Sequence, residues 1–404
     1  VGIGGPNITI KEEGWLAECV GNSPGNPTHI LLTDLEAEHI PGCNMAFRKD
    51  ALAAINGFDP QFRIAGDDVD VCWRLQQAGG TLGFSPAAMV WHHRRSSVKA
   101  FWKQQINYGK AEAMLEMKWP EKYNRLGHHN WQGRIYGSGS ANARLFRRWR
   151  IYYGVWGSGL FQSIYEKAPE TWRSVLLMPE WYLASAALAL LSLLGLLWSP
   201  MLLALPALII VTGVSLVEAG LNAAKAPMQF KPNAIFDQLQ RRALTAFLHL
   251  LQPLGRLCGR LRHGLAPWRR QGKQAFALPR PRISAVWSER WRTSEERLAA
   301  LKGLLRERGL VIKNGGEFDR WDLQVRGGMF GMVRMRLASE EHGAGKQMLR
   351  FFSWPKFSVE ALGLTSLFAT LAITAAVDHA WPAAFILGGI SGLVAFRTLG
   401  DCAA

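Results

Sequence analysis

The 404-residue chain has only five cysteines, Cys19, Cys43, Cys72, Cys258 and Cys402, and they stand far apart. No C-x-x-C pair and no metal-ligand spacing occurs, which excludes a zinc finger or ribbon. Nor is there the clustered disulfide framework that an oxidising compartment favours, so the five read as reduced, packed thiols. Acidic residues are scarce as well, 31 Asp and Glu against 47 Lys and Arg, for a formal net charge of +16. The first 30 residues lack a charged start followed by an apolar run, so no secretory leader is expected. The chain opens on Val1 rather than Met and is expected to be a segment of a larger protein. Internal repeats and low-complexity tracts are missing too. No nucleic-acid-binding module pattern accompanies the positive charge, so nucleic acid is not an expected partner.

What is abundant is apolar sequence, and it is unevenly placed. Leu183 to Ala223 is nearly uninterrupted Leu, Ala, Ile and Val, broken only near Trp198 to Pro200, enough for two membrane spans of about 20 residues each. Trp181 and Trp198 stand where an aromatic belt would. Ala361 to Phe396 predicts a second hairpin of spans, interrupted by Asp378, His379 and Pro382. Basic residues gather beside the spans, which by the positive-inside rule keeps those loops in the cytoplasm and makes membrane lipids a partner. Glu218 and Asp378 are the only acids in or near the apolar runs, which argues against a transporter path lined with paired ionisable residues.

The rest divides by composition. Residues 1–125 read as a soluble α/β segment, 126–178 as a Trp-, Arg- and Gly-rich interfacial connector, and 179–224 as two transmembrane helices. Residues 225–282 read as basic amphipathic juxtamembrane helices, lying on an anionic membrane face or packed on the soluble segment. Residues 283–356 alternate like an antiparallel sheet with one charged helix, a small α+β domain, and 357–398 form the terminal hairpin. Within the first segment, Gly42 to Arg48 reads as a strand, Lys49 to Ile55 and Asp67 to Ala78 as helices, Thr81 to Trp91 as a strand pair, and Val98 to Met117 as a helix.

Chemistry concentrates at Gly66-Asp67-Asp68-Val69-Asp70. Three carboxylates in four positions at a helix start repel one another unless the helix N-terminus, a metal or a cation compensates. A partly desolvated carboxylate among other anions has its proton affinity raised, which suits a general base acting on a hydroxyl. A solvated acid cluster at a helix start is the ordinary alternative. Further along, His92 and His93 precede Arg94 and Arg95; an imidazole there suits a metal, and the guanidinium pair suits phosphate.

The order Gly42-Cys43-Asn44-Met45-Ala46-Phe47-Arg48, then Gly57-Phe58-Asp59, then Gly66-Asp67-Asp68-Val69-Asp70-Val71-Cys72-Trp73-Arg74-Leu75, then Val90-Trp91-His92, resembles the second half of the GT-A domain of family 2 glycosyltransferases. The resemblance implies a partial GT-A, Rossmann-like α/β domain and an inverting transfer from a nucleotide-sugar donor to a glycan or lipid-linked acceptor. The family motif E-D-x-D places the base at Asp68, with Asp67 in the position of its Glu and Asp70 one turn along. The same likeness puts Gly42 and Asn44 in the acceptor pocket and makes His92 a ligand of Mg or Mn. Arg94 and Arg95 are then expected at phosphate. Gln105 matches the family's Q-x-x-R-W, whereas Tyr108-Gly109 replaces its Arg-Trp, so Gln105 and Tyr108 are expected to contact acceptor without processive synthesis. Asp68-Val69-Asp70 is not the D-x-D that holds nucleotide diphosphate, because a turn-rich loop precedes it instead of a buried strand. The donor-binding half is therefore expected outside this chain, which alone should be inactive. A noncatalytic membrane protein built on a transferase remnant is the rival expectation.

Overall fold

The computed structural model describes residues 1–10, 14–129, 131–135, 178–228, 235–269, 278–316 and 319–403. Most of the predicted 126–178 connector lies outside these residues. The chain divides into two compact units, one of residues 1–118, 129–190 and 203–265, the other of 119–128, 191–202 and 266–404.

The first unit is built on a six-stranded mixed sheet. Its strands are β1 (Gly2–Gly4), β3 (Ile30–Leu31), β4 (Glu36–His39), β5 (Met45–Phe47), β6 (Leu82–Phe84) and β8 (Arg134–Ile135), in the order β5-β1-β6-β4-β3-β8. A separate parallel pair joins β2 (Asn7–Thr9) to β7 (Val90–His92). The helices α1 (Trp15–Gly21), α2 (Lys49–Ala54), α3 (Asp67–Gln77) and α4 (Val98–Lys118) complete this part of the unit. The apolar stripe of α3, Val71, Cys72 and Leu75, is buried against Leu31, Ala37, Ile40, Leu82 and Phe84, while Ala51, Leu52 and Ile55 close one side of that core. Spacing at i, i+1 and i+4 puts these α3 residues on one face, and burial of that face is what orients the helix.

Two readings need correction here. The strand expected over Gly42 to Arg48 is shortened to Met45–Phe47, because Gly42 to Asn44 form a turn closed by Asn44 N–H donating to the Pro41 carbonyl at 3.1 Å. The segments of the expected Thr81 to Trp91 strand pair do not pair with each other. β6 lies between β1 and β4, and β7 joins β2, because the turn through Pro86 carries the chain from one sheet to the other.

Further along come α5 (Trp181–Leu194), α6 (Ala204–Lys225) and α7 (Ile235–Arg262). Helix α5, where a first span was expected, has 14 residues and extends about 21 Å at 1.5 Å per residue, short of the ~30 Å hydrocarbon layer. Gly195 and Pro200 end it, and a 3-10 turn at Ser199–Leu203 follows. Among the described residues, three helical segments are long and apolar enough to cross a membrane, Ser199–Lys225, Val359–Val377 and Trp381–Cys402.

The second unit holds a five-stranded antiparallel sheet of β9 (Arg282–Ser288), β10 (Val311–Asn314), β11 (Leu323–Arg326), β12 (Gly331–Glu341) and β13 (Gln347–Phe357), ordered β10-β11-β12-β13-β9. Strand β9 was not foreseen; it adds an edge to the predicted α+β domain. Its helix α8 (Ser294–Glu307) opens on a full capping box between Thr293 and Glu296. The apolar helices α9 (Val359–Val377) and α10 (Trp381–Cys402) pack through Ala375, Ala383, Ala384 and Leu387, small residues that let the helices approach closely. Asp378, between them, accepts a hydrogen bond from the Trp198 indole at 2.9 Å.

In the first unit His29 is 2% exposed and meets Phe84 edge to face at 5.2 Å. Burial, with His39 adding repulsion, lowers its imidazole from 6.5 to about 4. A group depressed this way stabilises the fold fully above 6.5, and that stability is lost as pH falls toward 4, by about 3 kcal/mol at the limit. His29→Leu should flatten the decline of the melting temperature between pH 7 and 4; an unchanged decline would assign the acid sensitivity elsewhere.

Candidate active site

Helix α3 begins at Gly66, whose φ of +89° is the left-handed conformation that glycine adopts without strain. A side chain there would also press on Phe62, Ala111 and Leu115. No side chain caps the helix, and Asp67, Asp68 and Asp70 fill its first turn against the positive end of the helix dipole.

The three carboxylates have different surroundings. Asp70 is fully buried and held between Arg74 Nε and Lys118 Nζ, each at 2.7 Å. Lys118 also pairs with Asp59 at 2.6 Å, so the loop before α3, the helix itself and the end of α4 are tied at one point. Asp70 thus orients the helix. The carboxyl of Asp67 is pushed above the ordinary range by burial and by the charge of Asp68.

Asp68 has the opposite shift. Burial raises it, but the hydrogen bond and charge of His39 and the N–H groups of Gly42 and Val69 together hold it below the usual carboxylate value. The expectation that crowding raises its proton affinity is corrected: raised affinity belongs to Asp67, and Asp68 is ionised at neutral pH. Gly42 N–H donates to Asp68 Oδ2 at 3.0 Å, and Val69 N–H to Oδ1 at 2.9 Å.

His39 went unnoticed in the sequence because it lies 29 positions before Asp68 and belongs to no motif. It ends β4, with Nδ1 3.1 Å from the Thr28 carbonyl and Nε2 3.6 Å from Asp68 Oδ2. A carbonyl only accepts, so Nδ1 carries a proton, and Nε2 faces the carboxylate. Glu38 Oε2 accepts the N–H groups of Gln132 and Gly133, both at 2.8 Å, and so fixes the loop bearing Trp131. That indole packs on His39 at 5.6 Å, on Trp73 at 5.6 Å, and stacked on His129 at 5.1 Å. Burial holds the His129 imidazole down to about 4.

The remaining predicted residues divide. The Tyr108 phenol is pushed up by burial, with the charges of Arg256, Asp68 and Arg95 also acting on it. Gln104 donates to the Tyr108 hydroxyl at 3.0 Å, and Arg256 lies over its ring. Asn44 is spent differently: its amide donates to the carbonyls of Gly5 at 2.6 Å, Ala88 at 2.7 Å and Pro6 at 3.2 Å, a strut that supports the Gly42 turn from below. Gln105 is fully buried against Gly25 and Arg256 rather than lining an open surface. Arg94 donates to Asn7 Oδ1 at 2.9 Å and to Thr9 Oγ1 at 3.1 Å, and lies 3.3 Å from His92 Nδ1.

Among the described residues no three His, Cys, Asp or Glu side chains come together as a ligand group, Asp70 is taken by two cations, and the guanidinium of Arg94 stands against His92.

Helix α7 packs on α4. A Cβ at Gly109 would lie 2.2 Å from the Arg256 carbonyl oxygen, and one at Gly259 2.1 Å from that of Ile106, so the two backbones touch. Arg256 reaches Glu112 at 2.9 Å, and the buried Arg260 reaches Glu180 at 3.0 Å. The glycine at 109 is thereby explained: where the family motif has Trp, this chain brings a second helix.

The mixed α/β sheet and the apolar helices fit a GT-A-like transferase domain joined to a membrane region. A family model described as glycosyl transferase family group 2 matches residues 32–218. The chain is 33% identical over 92 residues to the pre-mycofactocin glycosyltransferase of Mycobacterium tuberculosis, covering 23% of this chain and 19% of that protein. It is 24% identical over 87 residues to the probable glycosyltransferase YdaM of Bacillus subtilis, covering 22% and 20%. The matched stretches thus span about a fifth of each relative's length. No solved structure matches significantly.

Gly109→Val should push α7 off α4 and cost about 3 kcal/mol, with Gly109→Ala between it and the native chain. Thermal unfolding of the three proteins checks this, and a Val variant as stable as the native chain would disprove the contact.

Proposed function

We propose that this chain is the acceptor-side part of a membrane-anchored, inverting glycosyltransferase that moves a sugar from a nucleotide-sugar donor to a hydroxyl of a glycan or lipid-linked acceptor. The observation that carries this reading is the state of Asp68: ionised, 23% exposed, its two oxygens steadied by Gly42 and Val69 N–H groups, with His39 beside it. A fixed carboxylate with lone pairs to spare takes the proton from the acceptor hydroxyl as its oxygen attacks the anomeric carbon. His39, beside it, is assigned to positioning the carboxylate. Tyr108, Arg95 and Trp131 are assigned to acceptor and leaving-group contacts. The anion-facing role first given to Arg94 passes to Arg95, since Arg94 is engaged by β2. The donor-binding surface is assigned to sequence outside these residues, and the sugar-transfer step needs both parts. Basic sequence beside the apolar helices supports a cytoplasmic face for the site, in the inner membrane.

In the full-length protein Asp68→Asn should lower the transfer rate about 10²–10⁴-fold, the range for loss of a general base, with KM for the nucleotide sugar little changed. His39→Leu should reduce kcat less and change the pH profile of transfer, whereas a merely structural His39 would leave that profile in place. Transfer near the native rate in Asp68→Asn would defeat the assignment.

A further inference from the structure

Beside the carboxylate cluster, on the adjacent face of α4, lies a cleft of about 140 Å³ between the 61–65 loop and the helix. One water needs only about 10–15 Å³ of such space, so the cleft is large enough for a ligand group. Arg63 from the loop and Asn107 and Lys110 from the helix line it, and no acidic side chain among the described residues pairs with Arg63 or Lys110. Phe62, Ile64 and Met114 supply an apolar wall, in which Phe62 is 5% exposed and Ile64 is 69% exposed. Lys118 lies over the Phe62 ring at 5.5 Å.

The loop is held in place before any ligand arrives. Gln61 N–H donates to Asp59 Oδ1 at 3.0 Å, Gln61 Nε2 to Asp59 Oδ2 at 2.6 Å, and Phe62 N–H to the Asp59 carbonyl at 3.1 Å. Asp59 is itself clamped by Lys118. Chain continuity fixes the cleft's relation to the chemistry: Ala65 lines it, and Gly66 and Asp67 follow at once.

Two unpaired cations beside an exposed isoleucine call for a ligand that is both charged and apolar. A neutral glycan leaves the cations idle, and a bare anion leaves Ile64 and Met114 in water. We infer that this cleft binds a phosphate ester carrying an apolar chain, with the phosphate on Arg63 and Lys110 and the chain along Phe62, Ile64 and Met114. This deepens the proposed function and rests on its placing the acceptor on this side of the domain: the acceptor class becomes a lipid-linked phosphate whose hydroxyl-bearing part extends toward Asp68.

The test uses the full-length protein with ¹³C-methyl-labelled methionine, the Met114 signal being assigned through Met114→Leu. Hexyl phosphate should shift the Met114 methyl resonance saturably. Hexyl glucoside, of the same chain length without charge, should not, and inorganic phosphate should bind at least tenfold more weakly than hexyl phosphate. The Arg63→Gln/Lys110→Gln double variant, both positions lying outside the core, should weaken hexyl phosphate at least tenfold, and Asp68→Asn should leave its binding unchanged. Equal response to hexyl glucoside, inorganic phosphate as tight as the ester, or undiminished binding in the double variant would each overturn the inference. Because the readout is binding, those results would leave the role of Asp68 untouched, and loss of that role would leave the cleft.

Discussion

Everything around the site depends on one buried charge. Asp70 has no solvent exposure, and Arg74 and Lys118 both reach its carboxylate at 2.7 Å. A buried carboxylate stripped of such partners costs several kcal/mol, so the arrangement is demanding. It ties three separate pieces of chain: Arg74 also donates to the Ile55 carbonyl at 2.8 Å, and Lys118 also holds Asp59. With Asp70 fixed, the first turn of α3 cannot rotate, and Asp67 and Asp68 are presented at a set angle. An arrangement of this kind is poor evidence for stability and good evidence for specificity of position, since a well-packed apolar substitute would hold the helix as firmly but not in one register.

Much of the fold was legible because its elements follow strong local rules. The α3 stripe at Val71, Cys72 and Leu75, the stop at Gly79, and the alternation of Met332 to Ala338 each show a period that structure merely extends. What could not be read were features that pair residues far apart. Strand β9 has no turn partner nearby and joins the sheet only through β13, about 60 residues on. His39 sits in a short strand whose composition, Glu-Ala-Glu-His, signals no burial, yet three of its four residues are buried because β3 and β6 flank it. The length of α5 was misjudged for a different reason: hydropathy averages across Gly195 and Pro200, whereas helix geometry does not.

The acid cluster shows how identical side chains acquire different chemistry. From sequence, Asp67, Asp68 and Asp70 are three like charges, and crowding predicts raised proton affinity for all. In the structure one is neutralised by cations, one is left to burial and its neighbour's charge, and one is drawn down by N–H donors and an imidazole. The sign of each shift is set by partners from β4, the Gly42 turn and α4, none of which the local sequence reveals. Environments that push neighbouring carboxyls apart are a way of giving each a separate task. The lower shift at Asp68 has a chemical cost, because a weaker base removes a proton less readily. That cost is offset where proton loss accompanies bond formation, since the acceptor hydroxyl becomes strongly acidic only as its oxygen bonds to carbon.

The departure at Tyr108-Gly109 ties this division of labour to the helix behind it. An indole at position 109 would occupy the space where the Arg256 carbonyl now lies, so the chain has exchanged an aromatic surface for a backbone contact with α7. Two consequences follow from that exchange. Arg256 is delivered over the Tyr108 ring and onto Glu112. An aromatic face returns by another route, through Trp131, which Glu38 holds over His39. Since α7 adheres through glycines, its docking on α4 has little tolerance for added atoms.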